Sequence, residues 1–250
     1  MGRPTGTYEF GIYNILADTV MYVAIDSLPG IFDQPQFTET TKSDKSKRRQ
    51  VSFSGPFWSD NSKQCAIIMQ SLDNKDRWIV SLDLSSANLK LLDHQHDDAW
   101  IGGPGIRRCR GTTSIGLTPD NKKFWFQSEA TGYSHLYTVN VATGKTNQLT
   151  KGKFEVRDVR ISKDKKWWYF RSNEVHPGEL HLYRMPISGG KWAQITTMTG
   201  NNEVIYSPDE KNIAIRHSYS NRPWDLFVMK NKPKAKENPV YRRRQVTEYS

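Results

Sequence analysis

The densest run of chemically capable side chains in this sequence is Asp93-His94-Gln95-His96-Asp97-Asp98. On an extended strand His94 and His96 lie on one face, and with the adjoining carboxylates they could offer nitrogen and oxygen ligands to a zinc ion. No second ligand cluster accompanies them, and a His-x-His pair is common in polar loops, so no metal site is assigned. A nucleophile is equally hard to place. Hydrolases of the α/β type set their serine on a strained turn between small residues, in the pattern G-x-S-x-G. The nearest strings are Gly132-Tyr133-Ser134-His135-Leu136, with Leu in place of the last Gly, and Gly111-Thr112-Thr113-Ser114-Ile115-Gly116, with one residue too many. They read as a loop entering a strand and as a strand start, and no catalytic residue is assigned. Neither a P-loop nor G-x-G-x-x-G occurs, and Gly102-Gly103-Pro104-Gly105 puts a proline where phosphate-binding loops present backbone N–H groups. No cofactor is expected.

The chain has 36 Lys and Arg against 26 Asp and Glu, a formal charge of +10. Its basic residues gather at 42–49, 107–110, 230–236 and 242–244, which raises nucleic acid as a partner. These stretches are rich in Pro, Gly, Ser or Lys, the composition of solvated loops, and charge alone does not carry a nucleic-acid reading. Trp78 and Trp167-Trp168-Tyr169 could be base-stacking platforms, but large rings are also what fills the space between packed sheets. Cys65 and Cys109 are the only cysteines, and 250 residues can bury a core without a disulfide. The first residues, Met1-Gly2-Arg3-Pro4-Thr5-Gly6, lack a myristoylation pattern and an apolar leader, and no run approaches membrane-spanning length.

The elements that must position any site are repeats. Four turn-like segments recur: Trp58-Ser59-Asp60-Asn61-Ser62-Lys63, Leu117-Thr118-Pro119-Asp120-Asn121-Lys122, Ile161-Ser162-Lys163-Asp164-Lys165-Lys166 and Tyr206-Ser207-Pro208-Asp209-Glu210-Lys211. Pro suits the second position of a type I turn, and Asp and Ser bond their own backbone there. The Ser or Thr positions are 59, 44 and 45 residues apart, a period that points to propeller blades. Each turn joins a first strand (51–58, 112–117, 156–161, 202–206) to a second rich in aromatic or β-branched residues (65–70, 124–128, 167–171, 213–217). A third strand follows at 77–84, 135–141, 180–187 or 225–230, with largely alternating polarity as in a half-buried strand. The fourth closes on Leu149-Thr150, Ile195-Thr196 or Val246-Thr247. Upstream, 10–15 and 19–25 match the last two strands of another blade. Polar insertions at 26–50 and 93–111 interrupt the rhythm. Helical periodicity over ten residues is almost absent, which disfavours helical bundles and doubly wound folds.

Longer strings make the sequence similar to the dipeptidyl peptidase IV propeller of the prolyl oligopeptidase family. They are Asp73-Asn74-Lys75-Asp76-Arg77-Trp78-Ile79, Trp100-Ile101-Gly102, Ser128-Glu129-Ala130-Thr131-Gly132-Tyr133-Ser134-His135-Leu136-Tyr137, Thr150-Lys151-Gly152-Lys153-Phe154-Glu155-Val156, and Ser172-Asn173-Glu174 with Leu182-Tyr183. The resemblance implies an eight-bladed propeller capping an α/β-hydrolase domain that bears Ser, Asp and His and cleaves after the second residue of a peptide, often Pro. It implies that the hydrolase domain follows the last blades and that paired glutamates binding the substrate amine lie upstream; no Glu-Glu pair occurs here. The family also places a pocket-facing Arg shortly after Trp-x-Gly. In this sequence Gly103-Pro104-Gly105-Ile106-Arg107-Arg108 departs from that pattern, so Arg107 and Arg108 read either as channel residues or as loop charges.

The reading is an all-β, partial β-propeller over 1–250, with blades near 8–25 (partial), 50–93, 112–150, 155–196 and 201–247. Trp100, Arg107 and Arg108 are the substrate-channel candidates. The chain alone is expected to be inert, and its parent a serine-type dipeptidyl peptidase, periplasmic or extracellular as the resemblance implies. Partners would be a peptide substrate, the absent hydrolase domain and, in the parent, a second copy; nucleic acid is not among them. The alternative is a stand-alone propeller serving as a binding or scaffold module.

Overall fold

A computed structural model describes Gly6 and residues 8–33, 47–106 and 115–240. No helix occurs among them, so none is long and apolar enough to cross a membrane. A hairpin of β1 (Gly11–Asn14) and β2 (Thr19–Tyr22) precedes four antiparallel sheets of four strands, each built in strict chain order. The first sheet holds β3 (Val51–Trp58), β4 (Cys65–Ser71), β5 (Asp76–Leu82) and β6 (Leu89–His96). The second holds β7 (Gly116–Leu117), β8 (Lys123–Ser128), β9 (His135–Asn140) and β10 (Thr146–Gln148). The third holds β11 (Val156–Ile161), β12 (Trp167–Ser172), β13 (His181–Pro186) and β14 (Ala193–Gln194). The fourth holds β15 (Asn201–Tyr206), β16 (Asn212–Tyr219), β17 (Arg222–Lys230) and β18 (Asn238–Pro239). The last strand thus pairs at Asn238–Pro239, while Val246-Thr247 lie outside the described residues, as does Cys109. Contact density divides the chain into two compact units, Met1–Ala130 with Tyr137–Gln148, and Thr131–Leu136 with Leu149–Ser250.

The recurring turns are one device used four times. In each, the Ser or Thr hydroxyl donates to a side chain two residues on and accepts the N–H five residues on. Ser162 Oγ thus donates to Asp164 at 2.5 Å and accepts from Trp167 N at 3.0 Å, and Ser207 Oγ does the same with Asp209 at 2.7 Å and Asn212 N at 3.0 Å. The residue three places after each hydroxyl, Ser62, Asn121, Lys165 or Glu210, sits at positive φ between 55° and 59°. The left-handed residue lets a four-residue loop reverse the chain in step with the strands' own twist.

A second device closes the blades. Thr150 Oγ1 accepts Leu136 N and Thr196 Oγ1 accepts Leu182 N, each at 2.9 Å, so the terminal Thr of the fourth strand satisfies a buried amide of the third. Both threonines are fully buried.

The inner strands are buried on both faces. Ile67, Met69, Trp78 and Val80 join one core with Leu28 and Ile31, while the alternate residues Ala66, Ile68 and Ile79 join another with Phe124, Phe126 and Val139. The half-buried alternation read for the third strands therefore holds on β17 but not on β5, where even Arg77 is buried. Stacked sheets cover both sides of a strand, so its polar residues must find partners inside: Arg77 Nη1 donates to Gln127 O at 3.1 Å and to Gln95 Oε1 at 3.3 Å. Burial pulls the Arg77 guanidinium down to about 10, against the opposing pull of Asp93. In the second unit, Tyr169 and Leu182 pack with Ile213, Ile215 and Met229.

Candidate functional site

The His-x-His run is strand, not loop: β6 continues through His96, opposite Asp76, and into the segment read as an insertion. His94 and His96 do share a face, and a buried carboxylate receives both. His94 Nε2 and His96 Nδ1 each lie 2.8 Å from Asp76 Oδ1. Asp76 Oδ2 takes Arg49 Nη1 at 2.5 Å, and Arg49 Nη2 reaches Asp73 at 2.7 Å. Arg49, read as one of a run of solvated loop charges, is thus buried between two carboxylates; its charge is needed inside. Burial alone would raise the Asp76 carboxyl, but Arg49, His96 and His94 outweigh it and hold the group below its ordinary range. His96 is raised, because Asp76 and Asp98 face its two ring nitrogens. Among the described residues no group of three or more His, Cys, Asp or Glu is arranged to hold a metal ion. Cys65 is buried in apolar surroundings that push its thiol up to about 11, which keeps it unreactive.

Past His96 the chain turns sharply. Asp97 Oδ1 accepts both Ala99 N and Trp100 N at 2.8 Å, and these two bonds hold the Asp97 carboxyl below its ordinary range. The loop is seated on the turn between β4 and β5: Asp97 N donates to Lys75 O at 3.0 Å and Ile101 N to Asn74 O at 2.8 Å. Beyond Ile101 it runs against side chains at the end of β8. A Cβ on Gly103 would stand 2.1 Å from Glu129 Oε1, and one on Gly105, at φ +73°, would stand 1.8 Å from Gln127 Oε1. Of the glycines that failed the phosphate-loop pattern, Gly103 and Gly105 lie against the Glu129 and Gln127 side chains, and Gly105 also meets the need for a positive φ.

Between this loop, β6 and the end of β8 lies a cavity of about 310 Å³. Trp100, 46% exposed, lines it together with Ile101, Ile106, His96, Ser128 and Glu129. Two stretches separated in sequence, 93–106 and 128–130, therefore meet at one site. Arg107 and Arg108 lie outside the described residues; Ile106, just before them, is on the cavity wall. Glu129 was missed as a site residue by sequence reasoning. Its signal was its place directly after β8, inside the Ser128 to Tyr137 string.

Four-stranded meanders that share cores in pairs within each unit, with a cavity walled by β6, the loop after it and the end of β8, define a β-propeller region. The crystal structure of Porphyromonas gingivalis dipeptidyl peptidase 4 superposes on 93% of this chain with a TM-score of 0.66 at 15% identity, over 29% of its own length, which shows the shared fold. The model of the family "Dipeptidyl peptidase IV (DPP IV) N-terminal region" matches residues 30–224, and the chain belongs to that family. Dipeptidyl peptidase 4 of Trichophyton equinum is 30% identical over 130 residues, 51% of this chain and 16% of the fungal protein. That of Trichophyton rubrum is 30% identical over 107 residues, 42% of this chain and 13% of the fungal protein. The chain spans less than a third of the length of these relatives.

Proposed function

We propose that this chain is the propeller region through which a serine-type dipeptidyl peptidase admits and positions its peptide substrate, acting with an α/β-hydrolase domain in the periplasm or outside the cell. The observation that carries the reading is the Trp100 cavity, where three of the strings that resemble the family converge: the Asp73 to Ile79 turn seats the loop, Trp100-Ile101-Gly102 forms it, and Ser128-Glu129 faces it. An exposed indole offers apolar area to a peptide side chain, and the carboxylates of Asp97 and Glu129 favour a positively charged group beside it. The blades act by exclusion, admitting extended peptides and turning away folded proteins.

The chain is to be joined to the hydrolase-coding sequence of its own gene and assayed on a dipeptide-Pro chromogenic amide. The expected result is hydrolysis, with Trp100→Ala raising KM about tenfold while kcat changes less, as for lost ground-state binding. No hydrolysis by a protein with an intact G-x-S-x-G would defeat the reading.

A further inference from the structure

The second unit holds a groove of about 720 Å³ where the turns of the third and fourth four-stranded sheets come together. Its charges are unevenly used. Asp164 accepts the Ser162 hydroxyl and Lys166 N, and Asp209 accepts the Ser207 hydroxyl and Lys211 N, both as part of the repeated turn. Glu210 pairs with the Arg160 guanidinium and accepts Lys163 N at 2.9 Å. The acids of the groove are thus committed to holding the backbone and to Arg160. On the basic side, Lys163 Nζ donates to Pro208 O, and Lys211 Nζ stands 3.7 Å from Asp209. Arg184, Lys230 and Lys232 have no carboxylate within ion-pair distance among the described residues.

These three cations converge from two sheets. Arg184 lies across from Tyr169 on β13, with its guanidinium carbon 4.4 Å from the Trp167 ring centroid. That contact fixes the plane of the fork while leaving its N–H edges available. Lys230 ends β17 and Lys232 follows it, flanking Asn231, which is buried and donates to Tyr169 Oη at 3.0 Å and Glu210 O at 2.8 Å. These bonds hold the residue between the two lysines, and both lysines line the groove.

We propose that this groove binds a small oxyanion carrying two or more negative charges, of the phosphate-ester or pyrophosphate class, through Arg184, Lys230 and Lys232. A planar guanidinium suits two oxygens of one phosphoryl group and the flexible ammonium groups supply point charges for the rest. The volume is that of a small-molecule site, not of a polymer track. The site belongs wholly to the second unit and shares no residue with the Trp100 cavity.

The test is calorimetric titration of the 250-residue chain with inorganic pyrophosphate at constant ionic strength, with citrate as a second probe. One saturable site for pyrophosphate is expected. Binding should weaken about tenfold or more in Arg184→Ala and in the double variant Lys230→Ala with Lys232→Ala, and be unchanged in Lys123→Ala, an exposed lysine of the first unit. The lysine variants alter only exposed side chains, so they read out the site even if Arg184→Ala fails to fold. Absence of a saturable pyrophosphate signal would overturn the proposal. So would binding of citrate alone, or an equal loss in Lys123→Ala, which would mark diffuse charge.

Discussion

Arg49 joins Asp73 and Asp76, with all three side chains less than a tenth exposed, and Asp76 also receives His94 and His96. Removing one partner from a buried ion cluster leaves uncompensated charge. Arg49→Ala is therefore expected to cost about 3–5 kcal/mol in chemical denaturation, and a loss under about 1 kcal/mol would mean the clamp is idle. His96 gives the cluster a pH dependence. Its folded value is raised above the ordinary 6.5 by Asp76 and Asp98. A raised value means the stabilisation is complete below about 6.5 and disappears as pH climbs through the folded value. His96→Gln should lower the melting temperature relative to the parent at pH 6, and the gap should close toward pH 9. A gap constant across that range would contradict the assignment. The H-x-H signal and the shared face were legible in the sequence; the buried acceptor was not, because Asp76 is brought opposite His96 only by strand pairing.

Turns and closures belong to the element scale. The four turns were readable because Ser, Pro, Asp and Asn act on backbone within a few residues, and the same hydroxyl bonds recur in each. The closing Thr was visible only as a recurring letter. Its role depends on a strand 14 residues away, as Leu182 N finds Thr196 Oγ1. Thr196→Val keeps the shape and orphans that buried amide, so it should destabilise the chain by about 1–3 kcal/mol in urea, whereas Thr197→Val, at an exposed position, should lose less. Equal effects at both positions would remove the closure argument. The polar insertion after β6 shows the opposite case. Its glycines carried no readable purpose until Glu129 and Gln127 were seen against them.

For the whole molecule, the fourth four-stranded sheet turns an apolar row outward: Trp224, Leu226 and Val228 alternate on β17, and Ile205 on β15 is 70% exposed. A contiguous exposed apolar face favours association. The isolated chain should therefore show concentration-dependent mass in light scattering, and the pair Leu226→Lys with Val228→Lys should shift it toward monomer. If the parent chain is monodisperse at high concentration, that face is not adhesive. The charge of +10 is likewise a whole-chain quantity, yet its meaning is local: Arg49 is an internal clamp, Arg184 lines a groove, and Lys90 Nζ donates to Val141 O.

By itself the sequence determined the all-β class, the four-stranded repeat, the turns and the family resemblance, because each is set by contacts within a few residues or by a short string in order. Tertiary structure alone decided that Trp100 and Glu129 line one cavity, that two histidines share one aspartate, and that three cations converge on a groove with no carboxylate at ion-pair distance among the described residues. Those outcomes depend on which faces of successive sheets pack together, and a period of two along one strand carries no information about the side chains of the next.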